Sequence, residues 1–112
     1  MVKFVVVCYR RRDWSREQFR RYFRDVHGPL AMAMPGVRRY VQNFVEADER
    51  LDPPWDAVIE FWFDDRASME AAWQSEAGQR ASGDNANLMD LERTRWGVVE
   101  EIVVRDGAAG NP

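Results

Sequence analysis

The first strand of the chain is apolar on both of its faces, and this feature constrains the fold more than any other. Residues 2–9 read Val-Lys-Phe-Val-Val-Val-Cys-Tyr, so β-branched and aromatic side chains alternate onto both sides of the strand. Residues 96–104 repeat this two-sided pattern near the other end of the chain. We therefore expect the sheet that contains these strands to be covered on both faces.

A first helix is predicted to begin after Ser15, which can accept a hydrogen bond from the first turn and so cap it. Apolar residues then recur at spacings of three and four, which is typical of a helix with one face packed on a sheet. These are Phe19, Tyr22, Phe23, Val26 and Leu30. Pro29 interrupts the pattern because it has no amide hydrogen and its ring crowds the carbonyl of Asp25. We expect the helix to kink or end near His27.

Two more strands are predicted in the middle of the chain. Residues 37–45 follow a Pro-Gly pair and alternate well enough for a strand, although one of its faces is mixed in polarity. Residues 46–54 are charged, end in proline and have no periodicity, which predicts an exposed loop. A third strand is expected over residues 56–63.

A second helix is predicted to follow the third strand directly. Asp64 or Asp65 can cap its first turn, and Ser75 can restart it through Ala81. Gly83 is expected to stop this helix because glycine is a poor helix former. An irregular or helical bridge over residues 84–91 then leads to the last strand.

The predicted order is strand, helix, strand, strand, helix, strand, which indicates an α+β, ferredoxin-like βαββαβ fold with helices on one face of an antiparallel sheet. A monomer would leave the other apolar face wet. We therefore expect a homodimer in which the two sheets close as a dimeric α+β barrel, with Val58 and Trp62 in the contact. Residues 1–105 are expected to form one domain, and the glycine-rich residues 106–112 are expected to be disordered.

Composition narrows the classes of partner. The chain has 112 residues, of which 46% are apolar and 31% charged, as in globular proteins. A net charge of -3 and a pI near 5.2 argue against nucleic acid, and no apolar run approaches the length of a membrane span. Cys8 is the single cysteine, so no internal disulfide can form, which predicts a reducing, cytoplasmic location. Cys8 itself is expected to be a small, inert hydrophobe, and the sequence does not show which side of the sheet it occupies.

Two segments together resemble the EthD family of dimeric α+β barrel proteins. Residues 19–30 read Phe-Arg-Arg-Tyr-Phe-Arg-Asp-Val-His-Gly-Pro-Leu, and residues 35–43 read Pro-Gly-Val-Arg-Arg-Tyr-Val-Gln-Asn. Residues 55–65 also resemble the third strand of that family and the cap after it, and residues 99–101 resemble its closing strand.

The resemblance implies a homodimer whose sheets close face to face, with a pocket between each sheet and its own helices or loops. It implies no particular substrate. The family and its barrel relatives include proteins of ether degradation, lactone isomerases, polyketide-tailoring dehydratases and cyclases, and cofactor-free monooxygenases. A shared fold does not choose among these activities.

His27 is the only histidine, and it lies at the edge of the buried helix stripe where the Gly-Pro break frees backbone groups. An imidazole changes its charge near neutral pH, so His27 is the first candidate for a catalytic acid or base. The alternative is a histidine that only caps the freed carbonyl groups.

The third strand supplies candidate carboxylates on the face away from the helices. Asp56, Glu60 and Trp62 share this face by alternation, where a buried carboxylate must be paired, hydrogen-bonded or protonated. Glu60 or Asp56 could therefore act as an acid or base together with His27. Alternatively, Glu60 forms a structural ion pair with an arginine such as Arg38.

Tyr40, Gln42 and Arg38 share one face of the second strand and are candidates to bind a carbonyl or phenol group; the alternative is an exposed edge strand. Trp62, Trp73 and Trp96 could stack on an aromatic ligand, although large aromatic residues are more often core. No phosphate loop, Cys-x-x-Cys pair or His-x-x-x-His helix is present, so we expect no metal and no cofactor.

These patterns lead to one main hypothesis and two alternatives. The main one is a cofactor-independent enzyme acting on a small hydrophobic, aromatic or polyketide-like carbonyl compound by dehydration, isomerisation, cyclisation or oxygenation. The first alternative is a non-catalytic ligand-binding or accessory subunit of a degradation or biosynthetic pathway. The second is a haem protein with His27 as the iron ligand, although the sequence contains no other recognisable haem contact.

Overall fold

The computed structural model describes residues 1–107, which form one four-stranded antiparallel sheet with helices on one of its faces. The strands are β1 (Val2–Cys8), β2 (Arg39–Phe44), β3 (Ala57–Phe63) and β4 (Arg95–Val99). The helices are α1 (Arg16–Tyr22), α2 (Gly28–Met32), α3 (Arg66–Gln74) and α4 (Glu76–Leu88), and a π-helical turn (Phe23–His27) joins α1 to α2. The strand order is β2-β3-β1-β4, so the predicted ferredoxin-like α+β fold is confirmed.

The strand register sorts the side chains onto two faces. Phe4 of β1 lies opposite Phe61 of β3 and Val98 of β4, and Phe61 lies opposite Tyr40 of β2. This row faces the helices, because side chains at equivalent positions of paired strands point the same way. Cys8 belongs to the helix-facing side and is fully buried. The apolar core therefore lies between this face of the sheet and the helices.

The helix between β1 and β2 begins as predicted and continues differently. Ser15 caps α1, since its Oγ accepts a hydrogen bond from the Gln18 amide at 3.1 Å. Near His27 the helix does not end; it passes through the π-helical turn, in which the Gly28 amide donates to the Phe23 carbonyl five residues back. Pro29 then stands in the first turn of α2, directly after the π-helical turn.

The helices between β3 and β4 follow the predicted caps. Asp65 caps α3, because its carboxylate accepts a hydrogen bond from the Ser68 amide at 2.7 Å. Ser75 caps α4, since its Oγ accepts a hydrogen bond from the Gly78 amide at 3.0 Å. The break between α3 and α4 thus lies where the sequence predicted the restart.

The predicted end of this helix at Gly83 is wrong. Helix α4 continues to Leu88 because Ala81, Asp84 and Leu88 all lie on its buried face. Burial of this face outweighs the cost of about 1 kcal/mol that glycine carries in a helix interior. Gly83 itself lies on the solvent side of α4.

Two strands are shorter than predicted. β4 ends at Val99 instead of residue 104, because its last pair is with Lys3 and β1 begins only one residue earlier. β2 covers Arg39–Phe44 within the predicted residues 37–45, and the loop over residues 46–54 is almost entirely exposed, as expected. Of the tail predicted to be disordered, residues 106–112, only 106 and 107 belong to the described part of the chain.

The sheet face away from the helices is open in a single chain. Val5, Val7 and Val58 lie on it and are only partly buried. Beyond β4, Ile102 and Val103 are 72% and 65% exposed. An isolated soluble subunit would rarely expose so much apolar surface on one side.

Candidate active site

A cavity of about 300 Å³ lies between the helix-facing side of the sheet and the helices. Its position follows from the register, because the rows that contain Tyr40 on one edge strand and Trp96 on the other both face the helices. The cavity thus extends across all four strands. Its volume is at the lower end of the range for small-molecule sites, which is about 300–1,000 Å³.

Several aromatic rings line the cavity. Tyr40 stacks on Phe61 with 4.7 Å between ring centroids, and Trp73 of α3 lies 5.1 Å from Phe4 and 5.3 Å from Phe61. Trp96 also lines the cavity and is 45% exposed, so one side of the site is open. Such a wall favours a flat apolar ligand. Of the three tryptophans proposed to stack on a ligand, Trp73 and Trp96 line the cavity and Trp62 does not.

His27 is the main polar group of this cavity. The π-helical turn carries its buried ring over Phe23, with 5.0 Å between the two ring centroids. His27 Nδ1 donates a hydrogen bond to Asp84 Oδ2 at 2.9 Å. The neutral ring therefore holds its proton on Nδ1 and leaves the lone pair on Nε2. Within residues 1–107, Nε2 makes no hydrogen bond.

Asp84 is itself fixed by two further donors. The Tyr22 hydroxyl donates to Asp84 Oδ1 at 2.7 Å, and Asn87 Nδ2 donates to the same oxygen at 2.8 Å. Burial raises the pKa of Asp84, but the hydrogen bonds from Asn87, His27 and Tyr22 together outweigh it and hold the pKa below its ordinary value. The carboxylate is therefore ionised at neutral pH and can stabilise a protonated His27.

Sequence reasoning missed Asp84 because the helix was predicted to stop at Gly83. The available signal was spacing, since Ala81, Asp84 and Leu88 follow one another at three and four residues. A helix extended through Gly83 would have placed Asp84 on the buried face. Its pairing with a residue 57 positions away was not visible in the sequence.

Tyr40 and Gln42 lie next to each other beside the cavity. Tyr40 lines it, and the Tyr40 hydroxyl oxygen accepts a hydrogen bond from Gln42 Nε2 at 3.0 Å. Gln42 Nε2 also donates to the Phe23 carbonyl at 3.2 Å. Burial raises the pKa of Tyr40 to about 12, so the phenol stays neutral and its proton remains available to a ligand. The structure thus brings Tyr40, with its neighbour Gln42, into the surroundings of His27.

Glu60 lies on the opposite face of the sheet from His27. It forms an ion pair with Lys3 at 2.7 Å and accepts a hydrogen bond from Asn43 Nδ2 at 2.9 Å. Burial raises the pKa of Glu60, but the hydrogen bonds from Lys3 and Asn43 together lower it by more. The pKa of Glu60 is therefore below its usual value. Glu60 is thus a paired carboxylate that does not line the cavity.

The expected pair between Glu60 and Arg38 is wrong. Arg38 Nη2 instead lies 2.7 Å from Asp64 Oδ2, at an exposed end of the sheet. Side chains two residues apart in a strand point the same way, so Arg38 points to the helix side of the sheet like Tyr40. Glu60 points to the other side. Arg38 does not line the cavity either.

Asp56 and Trp62 also form their hydrogen bonds away from the cavity. Asp56 is buried before β3 and accepts from Arg10 Nη1 at 2.7 Å and from Arg16 Nε at 3.1 Å. Trp62 Nε1 donates to Glu101 at 3.0 Å on the open face of the sheet. The structure therefore does not bring Asp56, Glu60 or Trp62 together with His27, and Asp84 takes the place expected for their carboxylates.

Helix α4 adds two polar residues that sequence reasoning also missed. Ser82 lies at the mouth of the cavity and is exposed, while Asn85 lines its wall and is partly buried. Neither side chain makes a hydrogen bond to another group in residues 1–107. Trp73 Nε1 is likewise without a partner in this range, but it is shielded from the surface.

Cys8 is expected to be unreactive in the folded protein. Its side chain is fully buried, and burial, with a smaller contribution from Asp56, raises the pKa of the thiol well above its usual range. Titration with Ellman's reagent should detect no thiol in the native protein and one thiol per chain in guanidinium chloride. Rapid reaction of the native protein would contradict the described burial.

Residues 1–107 contain no group of three or more His, Cys, Asp or Glu side chains arranged to hold a metal ion. In the same residues, no helix combines the length and apolar character needed to cross a membrane.

The fold and the cavity define a ferredoxin-like α+β protein with a cavity on the helix side of its sheet. The family model described as the EthD domain matches residues 11–92, and the chain belongs to the EthD family. The match includes His27, Tyr40 and Asp84. Among curated proteins, none matches the chain.

Solved structures share the fold at low sequence identity. An EthD family protein from Bacillus halodurans is 20% identical, with a TM-score of 0.78 over 91% of this chain and 99% of that one. A dimeric protein of unknown function from Bacteroides fragilis is 14% identical, with a TM-score of 0.67 over 89% and 95%. An antibiotic biosynthesis monooxygenase-like protein from Nitrosomonas europaea is 17% identical, with a TM-score of 0.64 over 91% and 99%.

Proposed function

We propose that the protein is a cofactor-independent enzyme that moves a proton beside the carbonyl group of a small aromatic or polyketide-like compound. The observation that carries this proposal is the presence of His27 and Tyr40 in one cavity whose wall is otherwise mainly apolar. One group can accept a proton and the other can donate a hydrogen bond. The apolar wall lowers the local dielectric constant and so strengthens both interactions.

His27 acts as the base in this mechanism. Its Nε2 removes a proton from the carbon next to the carbonyl group, so that the C–H bond breaks and an N–H bond forms. The electron pair of the C–H bond moves into an enolate whose charge lies mainly on the carbonyl oxygen. Asp84 stabilises the imidazolium ion through the 2.9 Å hydrogen bond to Nδ1.

Tyr40 supports the developing enolate. The neutral phenol donates a hydrogen bond to the carbonyl oxygen, while Gln42 Nε2, 3.0 Å away, holds the phenol oxygen in place. Return of the proton to a different atom gives isomerisation. When the enolate attacks a second carbonyl, the alkoxide that forms takes the proton from Nε2, which gives cyclisation. When a hydroxyl on the neighbouring carbon leaves instead, it takes this proton and departs as water while the enolate re-forms the carbonyl and a C=C bond, which gives dehydration. One proton abstraction thus serves several of the reactions expected from the sequence.

Proton exchange in a simple ketone tests the proposal without knowledge of the natural substrate. We expect the wild-type protein to accelerate the exchange of α-protons of 2-tetralone, a bicyclic aromatic ketone, in D₂O, as followed by proton NMR. Exchange at the buffer rate despite demonstrable binding would overturn the enzymatic proposal in favour of the ligand-carrying alternative.

Replacement of Tyr40 by Phe is expected to slow this exchange about tenfold. The change removes one hydrogen bond to the enolate oxygen and keeps the ring that stacks on Phe61. Arg66→Ala, on the exposed start of α3, is the control and should exchange at the wild-type rate. An equal rate in Tyr40→Phe would contradict the donor role of Tyr40.

We further propose that the chain works as a homodimer in the cytoplasm. Support comes from the open apolar sheet face, from the dimeric description of the Bacteroides fragilis structure and from the single buried cysteine. In this dimer the open faces of two sheets meet, while each cavity stays on the helix side of its own chain.

A further inference from the structure

The cavity wall contains one amide that the proton-transfer mechanism does not use. Asn85 lies on α4, directly after Asp84, and lines the cavity together with Ala81 and Met89, which are four residues to either side. In the described part of the chain, its side-chain amide makes no hydrogen bond. The residue is partly buried at the cavity surface, so its amide is available to a polar group of a ligand.

We propose that Asn85 binds a second oxygen substituent of the substrate, at a distance from the carbonyl group that reacts at His27. The substrate is then an aromatic ketone with a hydroxyl or carbonyl group at the far end of its ring system. This inference rests on the proposed function and adds to it the polarity of the substrate's other end. An amide suits both substituents, because its NH₂ group donates and its oxygen accepts.

The shape of the site supports this arrangement. Tyr40 and Trp96 lie on the two opposite edge strands, so a flat ligand held at Tyr40 points across the sheet toward β4. The end of α4 lies on that side, because Met89 bridges to Arg10 immediately after β1. Asn85 is one helical turn before Met89 and is the partly buried polar residue of this wall.

The charge of the site restricts the second substituent to a neutral group. The described residues that line the cavity include no lysine, arginine or unpaired carboxylate. A carboxylate or phosphate on the ligand would be desolvated there without a cationic partner, and an ammonium group without an anionic one. A hydroxyl or carbonyl oxygen meets no such penalty.

A pair of matched ketones tests the inference. 2-Tetralone carries only the reacting carbonyl, whereas 6-hydroxy-2-tetralone carries a hydroxyl group at the far end of the aromatic ring. We expect the wild-type protein to bind the hydroxylated ketone about tenfold more tightly by isothermal titration calorimetry, as one additional hydrogen bond would give. In Asn85→Leu, the two ketones should bind with equal affinity, because leucine keeps the approximate size of the side chain and removes its polar atoms.

Gln79→Leu is the control variant, since it makes the same kind of change on the exposed side of α4. It should keep the tenfold preference. Equal affinities in the wild-type protein, or a preference that survives in Asn85→Leu, would overturn the inference. Exchange of the α-protons of 2-tetralone needs no second oxygen, so the proposed function stands or falls separately in the NMR assay.

Discussion

Replacing His27 by Ala is expected to slow the α-proton exchange of 2-tetralone by about 10²–10⁴-fold, which is the usual contribution of a positioned acid or base. The reason is that Nε2 of His27 is the basic atom in the cavity, and the other polar side-chain groups there are a neutral phenol, a hydroxyl, an amide and two indole N–H groups. The measurement is the NMR exchange rate at saturating ketone. Circular dichroism should show that the variant is folded.

Asp84→Asn provides the second arm of this prediction, because it tests how His27 is oriented. The amide can donate to Nδ1, which moves the ring proton to Nε2 and removes the basic lone pair from the cavity. Nitrogen NMR can read the tautomer directly, since His27 is the only histidine. We expect the Nδ1–H form in the wild type and the Nε2–H form in Asp84→Asn, together with a loss of exchange close to that of His27→Ala.

Tyr22→Phe is the matched control for Asp84. It removes one donor to Asp84 Oδ1 and leaves the contact between Asp84 Oδ2 and His27 intact. The tautomer should be unchanged and the exchange rate should fall much less than in Asp84→Asn.

An exchange rate in His27→Ala equal to the wild-type rate would show that another group removes the proton.

Replacing Val58 by Asp is expected to convert a dimer to monomer or aggregate, at a cost of about 2–5 kcal/mol for a charge left in a dry interface. Val58 lies on the open sheet face, near the start of β3, between the two neighbouring strands β1 and β2. Gel filtration with light scattering measures the mass in solution. The wild-type chain should elute as a dimer at micromolar concentration.

Val26→Asp is the control for this experiment, because it makes the same substitution on the exposed side of the helical layer, where Val26 is 44% exposed. It should leave the dimer intact. A stable, monodisperse wild-type monomer would refute the proposal that a second subunit covers the sheet. Retention of the dimer in Val58→Asp would place the contact on another surface.

The sequence predicted the fold well because its strongest signals are local. Alternation in β1 and β3 and the caps Ser15 and Ser75 each depend on a few neighbouring residues, and each agrees with the structure. The predicted stripe is wrong at Val26, which is exposed, because the π-helical turn shifts the helix phase and buries His27 instead. The ends of the elements were less predictable. Gly83 is a poor helix former by itself, but contacts with distant parts of the chain hold it within α4.

The candidate site was only half predictable for the same reason. His27 and Tyr40 were identified from their residue types and from the family motif, and alternation correctly separated the two faces of β3. Asp84, the partner of His27, was not identified, because a hydrogen bond between residues 27 and 84 is fixed by tertiary packing. Glu60 was assigned to the correct face, but that face is not the one that lines the cavity.

The π-helical turn gives the protein a way to change its site without changing its scaffold. A π turn corresponds to one extra residue in an α-helix, so losing a residue there would rotate everything beyond it by about 100° about the helix axis. Here the Phe23 carbonyl accepts hydrogen bonds both from the Gly28 amide and from Gln42 of β2. The sheet therefore sets the rotational phase of the segment that carries His27. In related chains, a single insertion or deletion at this turn would present a different side chain to the cavity while α1 stays in place.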